Sequence, residues 1–331
     1  MPVLWCSLPV VIPLLAAISD FIIGDPWHWP HPVQVMGWSI RVYQKPVLQY
    51  CKSPRWQRLA GVILGLGLPV VSGAIAGSVV LLTWQFSSLI GGGIAVVTLA
   101  SCLAGRSLRR AAEDVLTPLS QGDVATARQR LSLYVGRETD ALSEPEIFRA
   151  VMETISENAT DGVLAPLFYA LVGMAIAPAA GVFLAIAYKA LSTLDSMIGY
   201  RTAPYTYLGW FSARSEDLAT WLPCRLTVLT VALLSGRPGH VWRMCQRDAL
   251  ADPSPNAGWS ECAYAAALGV QLGGINVYQG QIRKKPLLGD ANRPINCQVI
   301  QQGMGFTRWA FVIWLTLGLI GLSFRYGLNC G

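Results

Sequence analysis

"GVLAPLFYALVGMAIAPAAGVFLAIAYKALSTLDSMIGY", residues 162 to 200, decides the fold class of this chain. Its apolar part, 163 to 194, is longer than the roughly 20 residues that one membrane span needs, and it is short for two spans. Pro178 interrupts it, and a proline inside a helix removes a backbone hydrogen bond and clashes with the preceding turn. We therefore predict a hairpin or re-entrant pair of helices that turns near Pro178 and returns Lys189 and Asp195 to the side where the stretch begins. A single long tilted span would instead carry them across the bilayer.

Further apolar stretches indicate that lipid is the solvent for much of the chain. Only 13% of the residues are charged and 53% are hydrophobic, whereas a soluble domain carries about 25% charged residues. The composition predicts an all-α, polytopic integral membrane protein with one membrane domain, 1–331. The other apolar segments are 3–24, 59–84, 86–104 and 309–324.

The polar segments predict which parts face the cytoplasm. Loop 25–58 carries five basic residues against the single acid Asp25, so the positive-inside rule makes it cytoplasmic. Charges recur in a helical pattern over 105–162, which predicts a cytoplasmic helical segment. The stretch 226–236 is too short to span and is read as interfacial or re-entrant, and 236–308 is read as loop-rich.

A helix start can be placed within the segment 105–162. Ser143 is followed three residues later by Glu146, as in a capping box, and Pro145 suits the first turn of a helix. We predict a helix from about 144 to 160.

Several function classes lack their sequence signatures. The net charge of +6 is spread over several loops and forms no compact basic stripe, so nucleic acid is not expected as a partner. The eight cysteines contain no C-x-x-C pair, which argues against a zinc site or a disulfide framework. There is no G-x-x-x-x-G-K-[ST] loop, so a bound nucleotide is not held by a Walker motif.

"ETISENATDG", residues 153 to 162, is the strongest candidate for a site. Glu153, Glu157 and Asp161 are four residues apart and share one helix face within roughly 80° of arc, with Asn158 beside them. Like charges at this spacing repel one another, so helix stability does not explain them. Mg²⁺ prefers such oxygen ligands together with a phosphate partner. A solvated acidic helix face is the alternative.

Other charged residues near apolar segments are second candidates. Asp20 and Asp25 flank the end of the first apolar run, and Lys189 and Asp195 leave the broken one. Charges near hydrocarbon are costly and are often functional. The alternative is structural: a lysine whose charged end snorkels to the membrane interface and aspartates that end helices explain the same residues. His28 and His31 have no evident third ligand, and the tryptophans around them fit an interfacial aromatic belt.

Five ordered blocks of the sequence resemble the CbiB/CobD family, the adenosylcobinamide-phosphate synthases of cobalamin biosynthesis. The blocks run from about residue 19 to about residue 290. They are "DFIIGDPWHWPHPVQVMG", "GRETDALSEPEIFRAVMETISENATDGVLAPLFYAL", "AYKALSTLDSMIGY", "LGWFSARSEDLATWLPCRLT" and "DPSPNAGWSECAYAAALGVQLGG".

The resemblance implies an ATP-dependent ligase of the bacterial inner membrane. It would join adenosylcobyric acid to (R)-1-amino-2-propanol or its O-phosphate, with Mg²⁺ as cofactor and ATP as co-substrate. The active side would be cytoplasmic, and other membrane enzymes of cobalamin assembly are candidate partners besides the lipid bilayer.

Roles for residues follow from this resemblance together with the spacing arguments. Catalytic candidates are Glu153, Glu157, Asp161, Asp195 and Lys189, of which the four acids are also the candidate Mg²⁺ ligands. Candidates for substrate or phosphate binding are Arg137, Arg214, Arg225, Asn158, Asp25, Asp217, Asp252 and Asn256. Trp210 and Trp259 are candidates for stacking on the flat corrinoid.

Two other classes of function stay open at this point. The AmpE-like proteins of β-lactamase induction are distantly similar, and they imply a membrane sensor without ligase activity. An ion-coupled transporter would use Asp20 and Asp195 as intramembrane carriers. If the protein is an enzyme, Glu157→Gln should abolish product formation while the protein still inserts into the membrane. If it is a scaffold, it should tolerate this substitution.

Overall fold

The computed structural model describes residues 2–24, 31–278 and 280–327, with the backbone alone for residues 2–7. The chain divides into two compact units where the sequence predicted one domain. Unit 1 comprises 1–104, 165–220 and 313–331, and unit 2 comprises 105–164 and 221–312.

The described part of the chain is mostly helical. In chain order its elements are α1 (Pro2–Ile22), α2 (Pro32–Tyr50), α3 (Pro54–Phe86), α4 (Ser88–Ala100), α5 (Gly105–Ser120), α6 (Val124–Leu131), α7 (Glu144–Asn158), a π-helix (Ala159–Leu164), α8 (Ala165–Met174), α9 (Pro178–Ile198), α10 (Trp210–Leu234), α11 (Pro238–Asp248), a 3₁₀ turn (Ala249–Ala251), α12 (Ala257–Leu268), β1 (Leu272–Tyr278), β2 (Gln281–Leu288) and α13 (Cys297–Gly327).

Five helical segments of the described residues are long and apolar enough to cross a membrane. The predicted class, a helical multi-pass membrane protein, is confirmed. The described part of α1 is a shorter apolar helix, Leu8–Ile22. The five segments are α3, Ser88–Ser120, α9, α10 and α13.

The predicted hairpin in the broken apolar stretch is confirmed. Helix α8 ends at Met174 and α9 begins at Pro178. The two helices are in close contact at Gly173, where a Cβ would lie only 2.4 Å from the carbonyl oxygen of Ala180. Small residues permit such close helix contacts in lipid. Residues of α8 and α9 share one buried apolar cluster in unit 1, which includes Met174, Val182 and Ile186.

Two predictions for the C-terminal half are wrong. The stretch 226–236 is not a short interfacial segment, because it is the end of α10, which begins at Trp210 and passes through Pro223. Residues 236–308 are not loop-rich, because they form α11, α12, an antiparallel β-hairpin and the start of α13. The charged residues within 210–225 interrupt the apolar pattern, so an assignment based on apolar runs alone does not detect this helix.

Unit 2 is built around a buried apolar core to which α5, α7, α11 and α12 contribute. The predicted start of α7 is confirmed, because Glu146 Oε2 accepts hydrogen bonds from the backbone N–H of Ser143 at 2.7 Å and from its hydroxyl at 2.6 Å. The strands β1 and β2 pair with a register shift between Leu272 and Gly274. Gly273, at this shift, has a φ of +88°, a conformation that favours glycine.

Candidate functional site

Two hydrogen bonds join α12 to α7 and to the π-helix that follows α7 in unit 2. The Ser260 hydroxyl lies 2.5 Å from the carbonyl oxygen of Ser156 and 2.8 Å from the hydroxyl of Thr160. All three side chains are buried. Glu157 follows Ser156 and Glu261 follows Ser260, and the charge of Glu157 acts on the pKa of Glu261, so these acids of α7 and α12 belong to one electrostatic group.

Glu153 joins α7 to the β-hairpin. Its side chain is 2% exposed and forms ion pairs with Arg137 and Arg149, the second at 3.2 Å. Its Oε1 also accepts the backbone N–H of Gly273 at 2.9 Å. Arg137 continues the network by donating to Asn276 Oδ1 at 2.8 Å. Both oxygens of Glu153 are therefore engaged within the protein, which gives this residue a structural role in unit 2.

Glu261 and Lys285 form a second ion pair near the first. Lys285 Nζ lies 2.5 Å from Glu261 Oε1, and Glu261 is fully buried. Burial raises the pKa of Glu261 to about 8, with Glu157 and Glu153 adding to the effect and Lys285 opposing it. Burial acts to lower the pKa of Lys285, but the charges of Glu261 and Glu157 outweigh it, so this pKa is raised. The Oε2 atom of Glu261 has no hydrogen-bond partner among the described residues.

Glu157 is the exposed member of this acidic group. Desolvation nevertheless raises its pKa; the charges of Asp252 and Glu153 act in the same direction, while Lys285 and Arg137 oppose them. The π-helix begins two residues later and contains Asp161, and π-helices occur frequently at functional sites.

The loop before α12 is held by Arg225. Its guanidinium carbon lies 5.4 Å from the ring centre of Trp221 and 4.5 Å from that of Trp259. Its NH2 group donates to the carbonyl oxygen of Pro255 at 3.1 Å, and NH1 lies 3.5 Å from Asn256 Oδ1. Arg225 therefore has a structural role in this loop, and its predicted contact with a phosphate would have to be made in addition to these contacts or in place of them.

The same loop presents Asp252 and constrains Trp259. Asp252 Oδ1 accepts the backbone N–H of Ser254 at 2.9 Å, while its Oδ2 is buried without a hydrogen-bond partner in the described part of the chain. Trp259 is 8% exposed, and Trp242 packs against it with the ring centres 5.4 Å apart. Arg225 also lies over the ring of Trp259, and the stacking of Trp259 on a corrinoid stays a prediction.

The remaining predicted site residues divide between the two units. Asn158 lies at the end of α7 in unit 2, is exposed and donates to the carbonyl oxygen of Thr154 at 2.9 Å. Trp210 is 47% exposed and lies with its ring 5.8 Å from the guanidinium of Arg58. Asp25 lies outside the described residues. The described site candidates that belong to unit 1 are Lys189, Asp195, Trp210, Arg214 and Asp217.

The assignment of Glu153, Glu157, Asp161 and Asp195 as magnesium ligands stays a prediction. Among the described residues, no group of three or more Asp, Glu, His or Cys side chains is placed to hold a metal ion. Glu153 is already engaged by two arginines and a backbone N–H. Asp195 belongs to unit 1, and the other three acids belong to unit 2.

Sequence reasoning missed three residues of the network, namely Arg149, Asn276 and Lys285. A signal for Arg149 was available, because Arg149 and Glu153 are four residues apart on α7, a spacing at which opposite charges pair. The other two come from the β-hairpin, which a loop-rich interpretation of 236–308 does not predict.

The fold and the site define a class: a helical multi-pass membrane protein with a buried network of carboxylates and cations beside an exposed glutamate. The family model described as CobD/Cbib protein matches residues 13–307. The chain belongs to the CobD/CbiB family.

Curated relatives support this assignment along nearly the whole chain. The cobalamin biosynthesis protein CobD of Synechocystis sp. is 49% identical over 96% of this chain and 93% of its own length. The cobalamin biosynthesis protein CbiB of Salmonella typhi is 40% identical over 99% of this chain and 97% of its own length. A CobD protein of Citrobacter koseri is 39% identical over 90% of each chain. No solved structure matches the chain.

Proposed function

We propose that this protein is the amide-forming ligase of cobalamin biosynthesis that joins adenosylcobyric acid to (R)-1-amino-2-propanol O-phosphate or to free aminopropanol. Membership of the CobD/CbiB family, whose relatives are named cobalamin biosynthesis proteins, supports the pathway. The reaction class follows from the resemblance of the five ordered sequence blocks to the adenosylcobinamide-phosphate synthases. Glu157, an exposed carboxylate of raised pKa in unit 2, is the residue that we propose as the base.

The chemistry of amide formation explains why such a group is needed. A carboxylate does not react with an amine until its oxygen is made a leaving group, and ATP supplies this activation by forming an acyl phosphate. The amine then forms the C–N bond, the C–O bond to phosphate breaks, and phosphate leaves with the electron pair. The amine is protonated near neutral pH, so it must first lose a proton to a base, and a carboxylate of raised pKa suits this role.

Mg²⁺ enters this proposal as the ion that accompanies ATP, because Mg²⁺ is commonly bound by one or two carboxylates together with substrate phosphates. We do not assign it to the residues of unit 2. We place the protein in the bacterial inner membrane with its active side facing the cytoplasm, and the basic residues of segment 25–58 support this orientation. Other membrane enzymes of cobalamin assembly are its proposed partners.

The direct test is amide synthesis by the purified protein in detergent. It is incubated with adenosylcobyric acid, aminopropanol phosphate, ATP and Mg²⁺, and the product is detected by mass spectrometry. We expect the amide from the wild type and a rate at least about a hundredfold lower from Glu157→Gln, as for loss of a general base. Glu144→Gln, the same change at an exposed position of α7, should retain the wild-type rate. A folded wild-type protein that makes no amide would exclude the proposal.

A further inference from the structure

Helix α10 buries several polar side chains. Ser212, Thr220 and Thr227 are 0% exposed, and Glu216 is 7% exposed. Thr220 donates a hydrogen bond to Glu216, and its hydroxyl oxygen lies 2.9 Å from that of Tyr188 on α9. This polar side of the helix therefore faces the protein.

The opposite side of α10 is apolar and exposed. At about 100° per residue, its large apolar side chains fall within roughly 120° of arc. In a helix at the surface of a soluble domain the polar face is outward and the apolar face is inward. The reversed arrangement in α10 indicates that its outer face meets lipid. This apolar stripe consists of Leu218, Trp221, Leu222, Leu229 and Leu233, each at least 46% exposed.

The charged residues of α10 argue against a helix that crosses the bilayer. Leu222 is the midpoint of the helix, and four charged residues lie at most eight positions from it. Eight positions correspond to about 12 Å, whereas half of the hydrocarbon core is about 15 Å. A crossing helix would therefore hold all four within the hydrocarbon, where charged side chains are costly. They are Arg214, Glu216, Asp217 and Arg225.

The path of the chain before α10 starts and ends on one side of the membrane. Gly173 of α8 packs against Ala180 of α9, and Tyr169 of α8 stacks on Tyr188 of α9 with the ring centres 5.0 Å apart. The order of these contacts shows that the two helices are antiparallel. The chain therefore enters this hairpin from α7 and leaves it towards α10 on the same side.

The path after α10 leads back to α7. The hydroxyl of Ser260 on α12 lies 2.5 Å from the carbonyl oxygen of Ser156 on α7, so these helices are on one side of the membrane. Between α10 and α12 lies α11, whose 11 residues correspond to about 16 Å and are too few to cross. If α10 crossed the bilayer, α12 would be on the opposite side from α7. Helix α10 must therefore begin and end on the same side.

We propose that α10 lies along the membrane surface on the side of α7, with its apolar stripe in the lipid, and does not cross the bilayer. Helices of this kind hold Trp and Leu side chains about 5–10 Å deep, at the boundary between headgroups and acyl chains, and keep their basic side chains on the polar face. Arg214 is exposed near the start of the helix, and the guanidinium of Arg225 lies 5.4 Å from the ring centre of Trp221. Both arginines are thus placed to reach the headgroups.

Labelling with a membrane-impermeant maleimide tests the side on which the chain leaves α10. Gln121, after α5, and Gln246, on α11, are both exposed and give a matched pair of cysteine variants. The parent carries alanine in place of the half-buried Cys51 and Cys297, and its reaction gives the background. We expect Gln121→Cys and Gln246→Cys to react in the same preparation, either inverted vesicles or spheroplasts, and not in the other.

A depth measurement tests the contact of the stripe with lipid. Leu222→Cys and Leu233→Cys are labelled with a fluorophore in nanodiscs of phosphatidylcholine and phosphatidylglycerol, with a nitroxide quencher either near the headgroup or near the end of the acyl chain. A helix along the surface holds both positions about 5–10 Å deep, so the quencher near the headgroup should be at least about twofold more effective at both. Leu133→Cys, at an exposed leucine outside α10, should be quenched by neither.

Each measurement has an outcome that would overturn the proposal. Reaction of Gln121→Cys and Gln246→Cys in opposite preparations would show that α10 crosses the bilayer. So would deep quenching at Leu222, the midpoint of the helix, with shallow quenching at Leu233. No quenching at either position would mean that protein, such as a second copy of the chain, covers the stripe. Should Leu222→Cys fail to fold, as judged by gel filtration, Leu218→Cys replaces it.

Discussion

Lys285 sets the charge state of the acids around it. Its positive charge lowers the pKa of both Glu261 and Glu157. Lys284, the preceding residue, is exposed and lies on the opposite face of β2, because successive side chains of a strand point to opposite faces. The two lysines therefore form a matched pair for substitution.

Lys285→Met should move the acidic limb of the pH–rate profile to higher pH. Without the lysine charge the pKa of Glu157 and of Glu261 rises, so a base that works only when deprotonated becomes active at a higher pH. The measurement is kcat/KM for amide formation as a function of pH. Lys284→Met should leave the limb in place, and an equal shift in the two variants would contradict the assignment.

Glu153 and Glu157 are four residues apart and should respond differently to the same change. Glu153 is 2% exposed and lies between two arginines, so Glu153→Gln leaves buried cations without their counter-ion. Breaking a buried pair costs about 3–5 kcal/mol. Glu157 is exposed, and its neutralisation relieves repulsion among the acids.

Thermal unfolding in detergent separates these two roles. Glu153→Gln should lower the midpoint of unfolding clearly, while Glu157→Gln should keep it and lose the amide product. A stable Glu153→Gln protein would show that the ion pairs of Arg137 and Arg149 contribute little to the stability of unit 2.

At the scale of elements, α3 contains a contact that depends on glycine. A Cβ built on Gly73 would lie 2.8 Å from the carbonyl oxygen of Phe183 on α9, whereas one built on Gly67 would meet nothing within 4 Å. Both residues lie within the same membrane-spanning helix, so the same substitution at each compares a packed site with an open one.

Gly73→Ala should destabilise unit 1, and Gly67→Ala should not. Overpacking a tight contact typically costs about 1–3 kcal/mol, because the backbone of α9 must move away. The loss should be visible as a lower unfolding temperature in detergent. Equal stability of the two variants would mean that α3 and α9 are less closely packed than described.

The elements that could be predicted from sequence are those with a local signal. The turn near Pro178 and the start of α7 at Ser143 depend on residues a few positions apart, and both are confirmed. The start of α10 was missed because Arg214, Glu216 and Asp217 interrupt its apolar pattern, although the helix continues through them.

The candidate site could be predicted only in part. The spacing of Glu153 and Glu157 identified one helix face, but not that Glu153 is buried between arginines while Glu157 is exposed. Lys285 is 128 positions from Glu157 in the chain, and its approach depends on the pairing of β1 with β2. No local pattern encodes a contact of that separation.

For the whole molecule, the basic segment 25–58, which includes α2, predicts an orientation in the membrane. Helix α3 has 33 residues, which corresponds to about 50 Å at 1.5 Å per residue, so it exceeds the roughly 30 Å hydrocarbon core. Its ends must therefore emerge on opposite sides. Lys52, Arg55 and Arg58 lie at the N-terminal end, while no charged residue follows until Arg106.

Labelling with a membrane-impermeant maleimide tests this orientation through two exposed positions, Ser53 and Gln85. In a Cys51→Ala background, Ser53→Cys should react in inverted membrane vesicles but not in intact spheroplasts, because the positive-inside rule places its end of α3 in the cytoplasm. Gln85→Cys should show the reverse pattern, and the parent without either new cysteine gives the background. Since ATP is cytoplasmic, reversed labelling would place the basic segment 25–58 on the side without nucleotide and would contradict the proposed cytoplasmic orientation.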